Sequence, residues 1–309
     1  MLNILGGEVM LKTFDEIVEI AKKKKAVVSL AGAEDVEALK AIREVLPYGI
    51  KAILVGNREI ISKNLKELDL DLPIVDAKNE AEIAEKAVKL VSSGEANILM
   101  KGLVKTATLL KAVLNKEWGL RGEGLLSHVA LLETPGLDRI VLVTDGGMVI
   151  RPTLEQKIQI IKNAVELAHK LGYEKPRVGL IAAVEVVNPD MPETMEAAII
   201  SKMAERGQIK GCFVDGPLGI DNALSEFAAK VKKVSGEVAG KADILVVPDI
   251  HSGNFLGKSA VYLAKGKIAG IIMGAKAPIV IVSRADTSES KKNSIAIAAA
   301  ISSQGGKNL

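Results

Sequence analysis

The chain is poor in the residues that many functional classes depend on. It has a single cysteine, Cys212, so an internal disulfide is excluded, which fits a reducing compartment. Three histidines and one cysteine leave little from which to build a zinc site, and no Cys/His cluster occurs. Aromatic residues make up only 3% of the chain, so an apolar core must be built from Ala, Val, Ile and Leu. That composition suits helices layered on a mostly parallel sheet. Arginine is scarce as well: 8 of the 41 basic residues, the rest being lysine. The net charge of +3 is spread over a mixed surface without a basic stripe, which argues against nucleic-acid binding. The first apolar stretch is interrupted by Asn3 and Glu8, so no secretory signal is expected. Residues 268–282 are the most apolar later run, but Lys276 and Pro278 interrupt it, and no membrane span is expected. Together these readings point to a cytoplasmic location. Helical patterning begins at residue 13, so Met10 is a second candidate start and residues 1–9 a candidate extension.

Short apolar runs alternate with longer amphipathic ones. Strands are expected at 26–30, 51–55, 73–75, 97–100, 129–132, 140–143, 178–182, 211–214, 244–247, 268–273 and 279–282. Helical periodicity marks 34–44, 80–91, 106–114, 154–171, 192–205, 222–234, 254–263 and 291–302. Start signals stand at Thr153, at Asp221 and at Ser252–Gly253. This rhythm predicts parallel α/β layers, and 309 residues are enough for two domains. Turn-rich segments at 119–124, 134–136 and 274–278 are candidate seams. They suggest one domain over 126–273 and a discontinuous one over 1–125 plus 274–309, with a ligand cleft between them.

Polar residues gather where apolar runs stop, which is where α/β proteins place ligand chemistry. In PIVIVSRADTSESKKNS (278–294) the apolar run ends at Ser283, Arg284 and Asp286. They bring a hydroxyl, a bidentate cation and a carboxylate to one strand end. In VVPDIHSGNFLGKS (246–259), Asp249, His251, Ser252 and Asn254 precede a helix. Its free N–H groups can receive an anion, or the residues can be ordinary caps. In LMKGLVKTATLLKAVL (99–114), Gly102 allows close backbone approach to a ligand. Lys101, Lys105 and Lys111 can neutralise phosphate or form a solvated face. The segment lacks the GxxxxGK[ST] pattern of a P-loop. In VTDGGMVIRP (143–152), Asp145 and the glycine pair read as a tight turn, with Arg151 beside it. Gly216–Asp221 is a loop into a helix. No GxGxxG follows a strand and no GxSxG is present.

In their order and spacing, these segments, with LLSHVALLE and VDGPLGIDNAL, resemble the phosphate acetyl/butyryltransferase family from about residue 90 to 302. The resemblance implies two α/β domains around a cleft, of the isocitrate/isopropylmalate dehydrogenase type, in a homodimer. It implies reversible acyl transfer between a short-chain acyl-CoA, butyryl-CoA first, and inorganic phosphate by direct transfer in a ternary complex. Coenzyme A is then a substrate, and neither metal nor redox cofactor is needed. Arg284 matches the family's phosphate-binding arginine and Ser283 the serine that donates to the oxyanion. Lys101, Thr106, Lys111, Ser252 and Asn254 are the candidate phosphate and CoA contacts. The acetyl branch carries a catalytic Asp seven residues after the serine. Here Ser290 stands there, so Asp286 is the substitute, with Glu289 nearby. Lys111 stands where that branch has an arginine, and Val149 and Arg151 replace Asn and Ala of relatives. Cys212 sits in an apolar run and reads as structural. Three other readings compete with this one. One is a phosphate acetyltransferase. Another is an NAD-dependent decarboxylating dehydrogenase of the same architecture, which needs Asp and Arg clusters that are not seen at suitable spacing. The third is a non-catalytic ligand-binding module.

Overall fold

The computed structural model of the protein describes residues 4–5, 8–282 and 286–303. The chain forms two compact units. One, here the middle unit, comprises residues 1–13 and 125–268; the other, the split unit, comprises residues 14–124 and 269–309. The chain opens with a short antiparallel pair, β1 (Ile4–Leu5) and β2 (Glu8–Val9).

The split unit alternates helix and strand: α1 (Phe14–Ala21), β3 (Val27–Ala31), α2 (Val36–Val45), β4 (Lys51–Gly56), α3 (Arg58–Glu67), β5 (Ile74–Asp76), α4 (Glu80–Ser92), β6 (Ile98–Lys101) and α5 (Thr106–Val113). The helix starts are written locally: Asp35, Asn57 and Asn79 each accept a backbone N–H in the first turn of α2, α3 and α4.

The middle unit holds β7 (Ser127–Glu133), β8 (Val141–Thr144), α6 (Leu154–Lys170), β9 (Arg177–Ile181), α7 (Pro192–Glu205), β10 (Phe213–Leu218), α8 (Ile220–Leu224), α9 (Glu226–Val231), β11 (Ile244–Val246) and α10 (Ile250–Tyr262). The chain then runs through β12 (Lys267–Met273), β13 (Ile279–Val280) and α11 (Ser288–Ile301).

In the split unit β13, β6, β3, β4 and β5 pair in that order, all parallel. Every residue of β3 and β6 is buried, as expected of strands covered on both faces. Helix α11 is buried along almost its whole length and packs against α1 and α2. In the middle unit β10, β9, β11 and β8 are parallel neighbours. Their inward residues, among them Val141, Val143, Leu218 and Leu245, share one apolar cluster with Ala223 and Val238.

Purely parallel sheets are not what forms. Strand β7 runs antiparallel to β8, and β12 antiparallel to β13. The reason is connection length. Residues 134–140 and 274–278 are too short for a crossover, which takes a dozen residues or more, so each makes a hairpin turn. Gly274 takes a left-handed φ of 92° at the second of these. The helix expected over 222–234 is two helices. Ser225 leaves the helical region, with φ −119° and ψ 117°, and its side chain caps α9. Helix α10 starts at Ile250, capped by Asp249, four residues before the expected start. Helix α3 was not expected at all, because its sequence is mostly polar.

Asn97 ties three segments of the split unit together. Its Oδ1 accepts from Val27 N at 2.8 Å, and its Nδ2 donates to Lys25 O at 3.1 Å and Ser303 O at 2.9 Å. An Asn97→Ala chain strands the buried Val27 N–H and two carbonyls. It should lose about 3 kcal/mol of stability, at about 1–3 kcal/mol for a buried group left unpaired. Urea unfolding checks this, and an unchanged midpoint would refute the role.

Candidate active site

Several described candidate residues follow the carboxyl ends of parallel strands: Lys101 ends β6 and Ser252 follows β11, whereas Lys111 stands in the last turn of α5. In the split unit, β6 ends at Lys101, which is buried and whose Nζ donates to Gly102 O at 3.2 Å. Gly102 is required by the packing of two loops. A Cβ there would lie 2.3 Å from Gly32 O, and Leu103 N donates to Gly32 O at 2.7 Å. The glycine lets the loops after β3 and β6 touch backbone to backbone. Thr106 opens α5 after Lys105, a cap position without a side-chain hydrogen bond. Thr106 and Lys111 are both exposed. Of the three residues after β13, Ser283 and Arg284 lie outside the described residues. Asp286 is half-buried, and its carbonyl accepts from the Lys291 ammonium at 2.8 Å. Ser290, at the family's Asp position, is buried in the first turn of α11, with its N–H on Thr287 Oγ1 at 3.2 Å.

In the middle unit the loop after β8 is organised by one carboxylate. Asp145 is buried, and its two oxygens accept from the backbone N–H groups of His128, Gly147, Met148 and Val149 at 2.7–3.2 Å. The negative charge thus sits in a ring of amides, a charge-assisted arrangement that needs no cation. Gly146 is more than a turn residue. A Cβ on it would lie 2.7 Å from Gly253 C, and one on Gly253 2.6 Å from Gly146 Cα. The loop after β8 is therefore pressed against the first turn of α10, and Ile250 N donates to Ile150 O at 3.1 Å.

Asp249 caps that turn. Ser252 donates to Asp249 Oδ1 through both its N–H and its hydroxyl, each at 2.8 Å. The Ser252 N–H is the main cause that holds the Asp249 carboxyl below its ordinary pKa; the positive charges of His251 and Arg151 add to it. A lowered carboxylate pKa stabilises the fold above its unfolded-state value and loses that contribution as pH falls through the folded one. Ser252 also stands in the wall of a cleft of about 640 Å³ in this unit. Its apolar lining includes Ile181, Met191, Val247 and Leu256. Glu193, Asp221 and Lys232 add charge, and Lys232 is already engaged by Glu185 at 3.0 Å and Asp221 at 3.1 Å. Asn254 is exposed on α10.

Sequence patterning did not single out Lys291 or the 182–194 side of the cleft, and it gave Asp145 only a turn. The signal for Asp145 was its place before two glycines at a strand end. Cys212 is buried, and desolvation raises its thiol pKa to about 11, so it is not a ready nucleophile. Among the described residues no group of three or more His, Cys, Asp or Glu could hold a metal ion, and no helix is long and apolar enough to cross a membrane.

Known proteins share this chain's sequence and fold over nearly its whole length. The profile of the family described as "Phosphate acetyl/butaryl transferase" matches residues 74–299. A phosphate butyryltransferase of Clostridium acetobutylicum is 50% identical over 297 residues, covering 94% of this chain and 99% of the relative. A phosphate acetyltransferase of Thermotoga maritima is 44% identical, over 92% of this chain and 98% of the relative. The crystal structure of a branched-chain phosphotransacylase from Enterococcus faecalis superposes with a TM-score of 0.81 at 38% identity, covering 89% of this chain and 98% of that one. A match of this extent leaves one assignment: the chain belongs to the phosphate acetyl/butyryl transferase family.

Proposed function

We propose that this protein catalyses reversible acyl transfer between an acyl-CoA and inorganic phosphate, giving an acyl phosphate and coenzyme A, with butyryl-CoA as the preferred ester. The observation that carries the proposal is the 50% identity to a phosphate butyryltransferase across almost the full length of both chains. Coenzyme A enters as a substrate, and no metal or redox cofactor takes part. The enzyme works in the cytoplasm as a homodimer built on the isocitrate/isopropylmalate dehydrogenase type of architecture.

In this reading a phosphate oxygen attacks the thioester carbonyl, and negative charge develops on the carbonyl oxygen. The C–S bond then breaks, and the sulfur leaves with a proton. Catalysis rests on holding two substrates in line and stabilising the oxyanion. Arg284 clamps phosphate bidentately and Ser283 donates to the oxyanion. Asp286 gives the sulfur its proton, and takes it from the coenzyme A thiol in the reverse direction. Lys101, Thr106 and Lys111 supply positive charge and amide donors for phosphate. The cleft beside Ser252 has an apolar lining, and among the described residues Lys232 is engaged by Glu185 and Asp221 rather than by Glu193, so its remaining charge is acidic. That character supports the uncharged acyl and pantetheine arm as its occupant, with Asn254 on the outer side.

Arg284→Ala should lower kcat/KM by about 10²–10³-fold in phosphate-dependent thiol release while thermal unfolding stays unchanged. Near-normal turnover would refute the assignment. Asp286→Asn should lower kcat and, in the direction that consumes coenzyme A, where Asp286 acts as the base, remove the acidic limb of the pH profile. If Glu289→Gln does this instead, Glu289 is the proton carrier. Cys212→Ser should keep activity, and native Cys212 should resist iodoacetamide at pH 8.5. Alkylation should speed up only as pH rises towards the thiol pKa of about 11. Fast labelling at pH 8.5, or a folded but inactive serine variant, would restore a covalent role. A panel of two- to six-carbon CoA esters tests the butyryl preference.

A further inference from the structure

Lys291 lies on the first turns of α11, in SESKKNS, a stretch that reads as a solvated surface. It is instead 2% exposed. Its neighbour Lys292 behaves as a surface lysine, 3.9 Å from Glu44. Among the described residues Lys291 has no ion pair. Its ammonium donates backwards, from Nζ to the carbonyl oxygen of Asp286 at 2.8 Å. Glu37 attracts it only at longer range, and the Glu37 carboxylate is already bound by Lys40 at 2.7 Å. A methionine or leucine would fill such a position without the desolvation penalty of a buried ammonium. Groups that break the rules of burial in this way tend to serve a site.

We propose that Lys291 is a positioning residue for acyl transfer. Its ammonium holds the Asp286 carbonyl and so fixes the residue through which the chain enters α11, where Thr287 is the cap. This rests on the reaction proposed above. Asp286 must meet a substrate proton at hydrogen-bond distance, and Arg284 is two residues away in sequence. A displacement of about 1 Å in such a group costs on the order of 10²-fold in rate. Proline or a side-chain cap could stiffen a turn, but only a long donor reaches a carbonyl preceding the helix from within it. The contact is therefore a tether running from the packed helix to the catalytic segment. The role does not require Lys291 to touch substrate.

Two variants test the tether, each with two readouts. Lys291→Met removes the donor and the charge; Lys291→Gln removes the charge but keeps an N–H donor. The first readout is kinetic, with butyryl-CoA and phosphate. Lys291→Met should lower kcat by about 10–100-fold with little change in KM for butyryl-CoA, and Lys291→Gln should recover much of that loss. The second readout is independent of activity: trypsin cleavage after Arg284, followed by the mass of the fragment beginning at Ala285. Cleavage should accelerate in Lys291→Met and less in Lys291→Gln, at unchanged global unfolding temperature. Wild-type kcat together with wild-type cleavage in Lys291→Met overturns the proposal. So does equal impairment of the two variants, because the hydrogen bond is then not what matters. If the native enzyme releases no thiol while the cleavage pattern follows the prediction, the tether stands and the reaction assigned to it falls. If Lys291→Met does not fold, faster cleavage in a folded Lys291→Gln supports the tether, and native-like cleavage and kcat in that variant overturn it.

Discussion

At the carboxyl ends of the strands, in both units, backbone is pressed on backbone with no room for a side chain. Gly102 meets Gly32 in the split unit, and Gly146 meets Gly253 in the middle unit. These contacts set how far each of these loops can reach over its strand ends. Lys101 precedes one contact directly, and α5 follows it. Asp145 precedes the other, and its ring of amides fixes the loop that leans on α10. A Cβ at any of these positions would come within 2.3–2.7 Å of the facing backbone, and the two loops would have to part. The strain would reach Lys101 and Asp145, which stand beside the glycines.

The α/β rhythm was legible in the sequence because its signal is local. Each expected strand is present, displaced by at most a few residues, since an apolar run bounded by turn residues states its own limits. Strand direction was not legible. It depends on the length of the connection, and a seven-residue link between β7 and β8 looks like a domain seam until the pairing is known. Helix α3 was invisible because a mostly polar helix has a weak apolar stripe. The break at Ser225 was hidden because the apolar periodicity runs straight through it.

The placement of several candidate residues was legible in outline. Asp145, Asp249, Ser252 and Lys101 all stand at strand ends, as the abrupt changes from apolar to polar suggested. The reasons were less visible. Gly102 and Gly146 were needed for contact with other loops, a long-range fact that no local spacing encodes. Lys291 was missed because charge statistics place a lysine in a polar run on the surface. Burial of α11 by α1 and α2 overrides that expectation.

The Asn97 clamp has a consequence for the order of events when the chain is made. It joins the entry to β3 with Ser303, just beyond α11, and α11 covers α1 and α2. A ribosome releases the segment 14–124 well before the residues that complete its layer. The middle unit needs only residues up to 268 and can close first. Until the last forty or so residues emerge, the faces of α1 and α2 that α11 covers have no cover of their own. Vulnerability to aggregation and to proteases is thus concentrated in a defined interval of synthesis, and it ends when α11 docks.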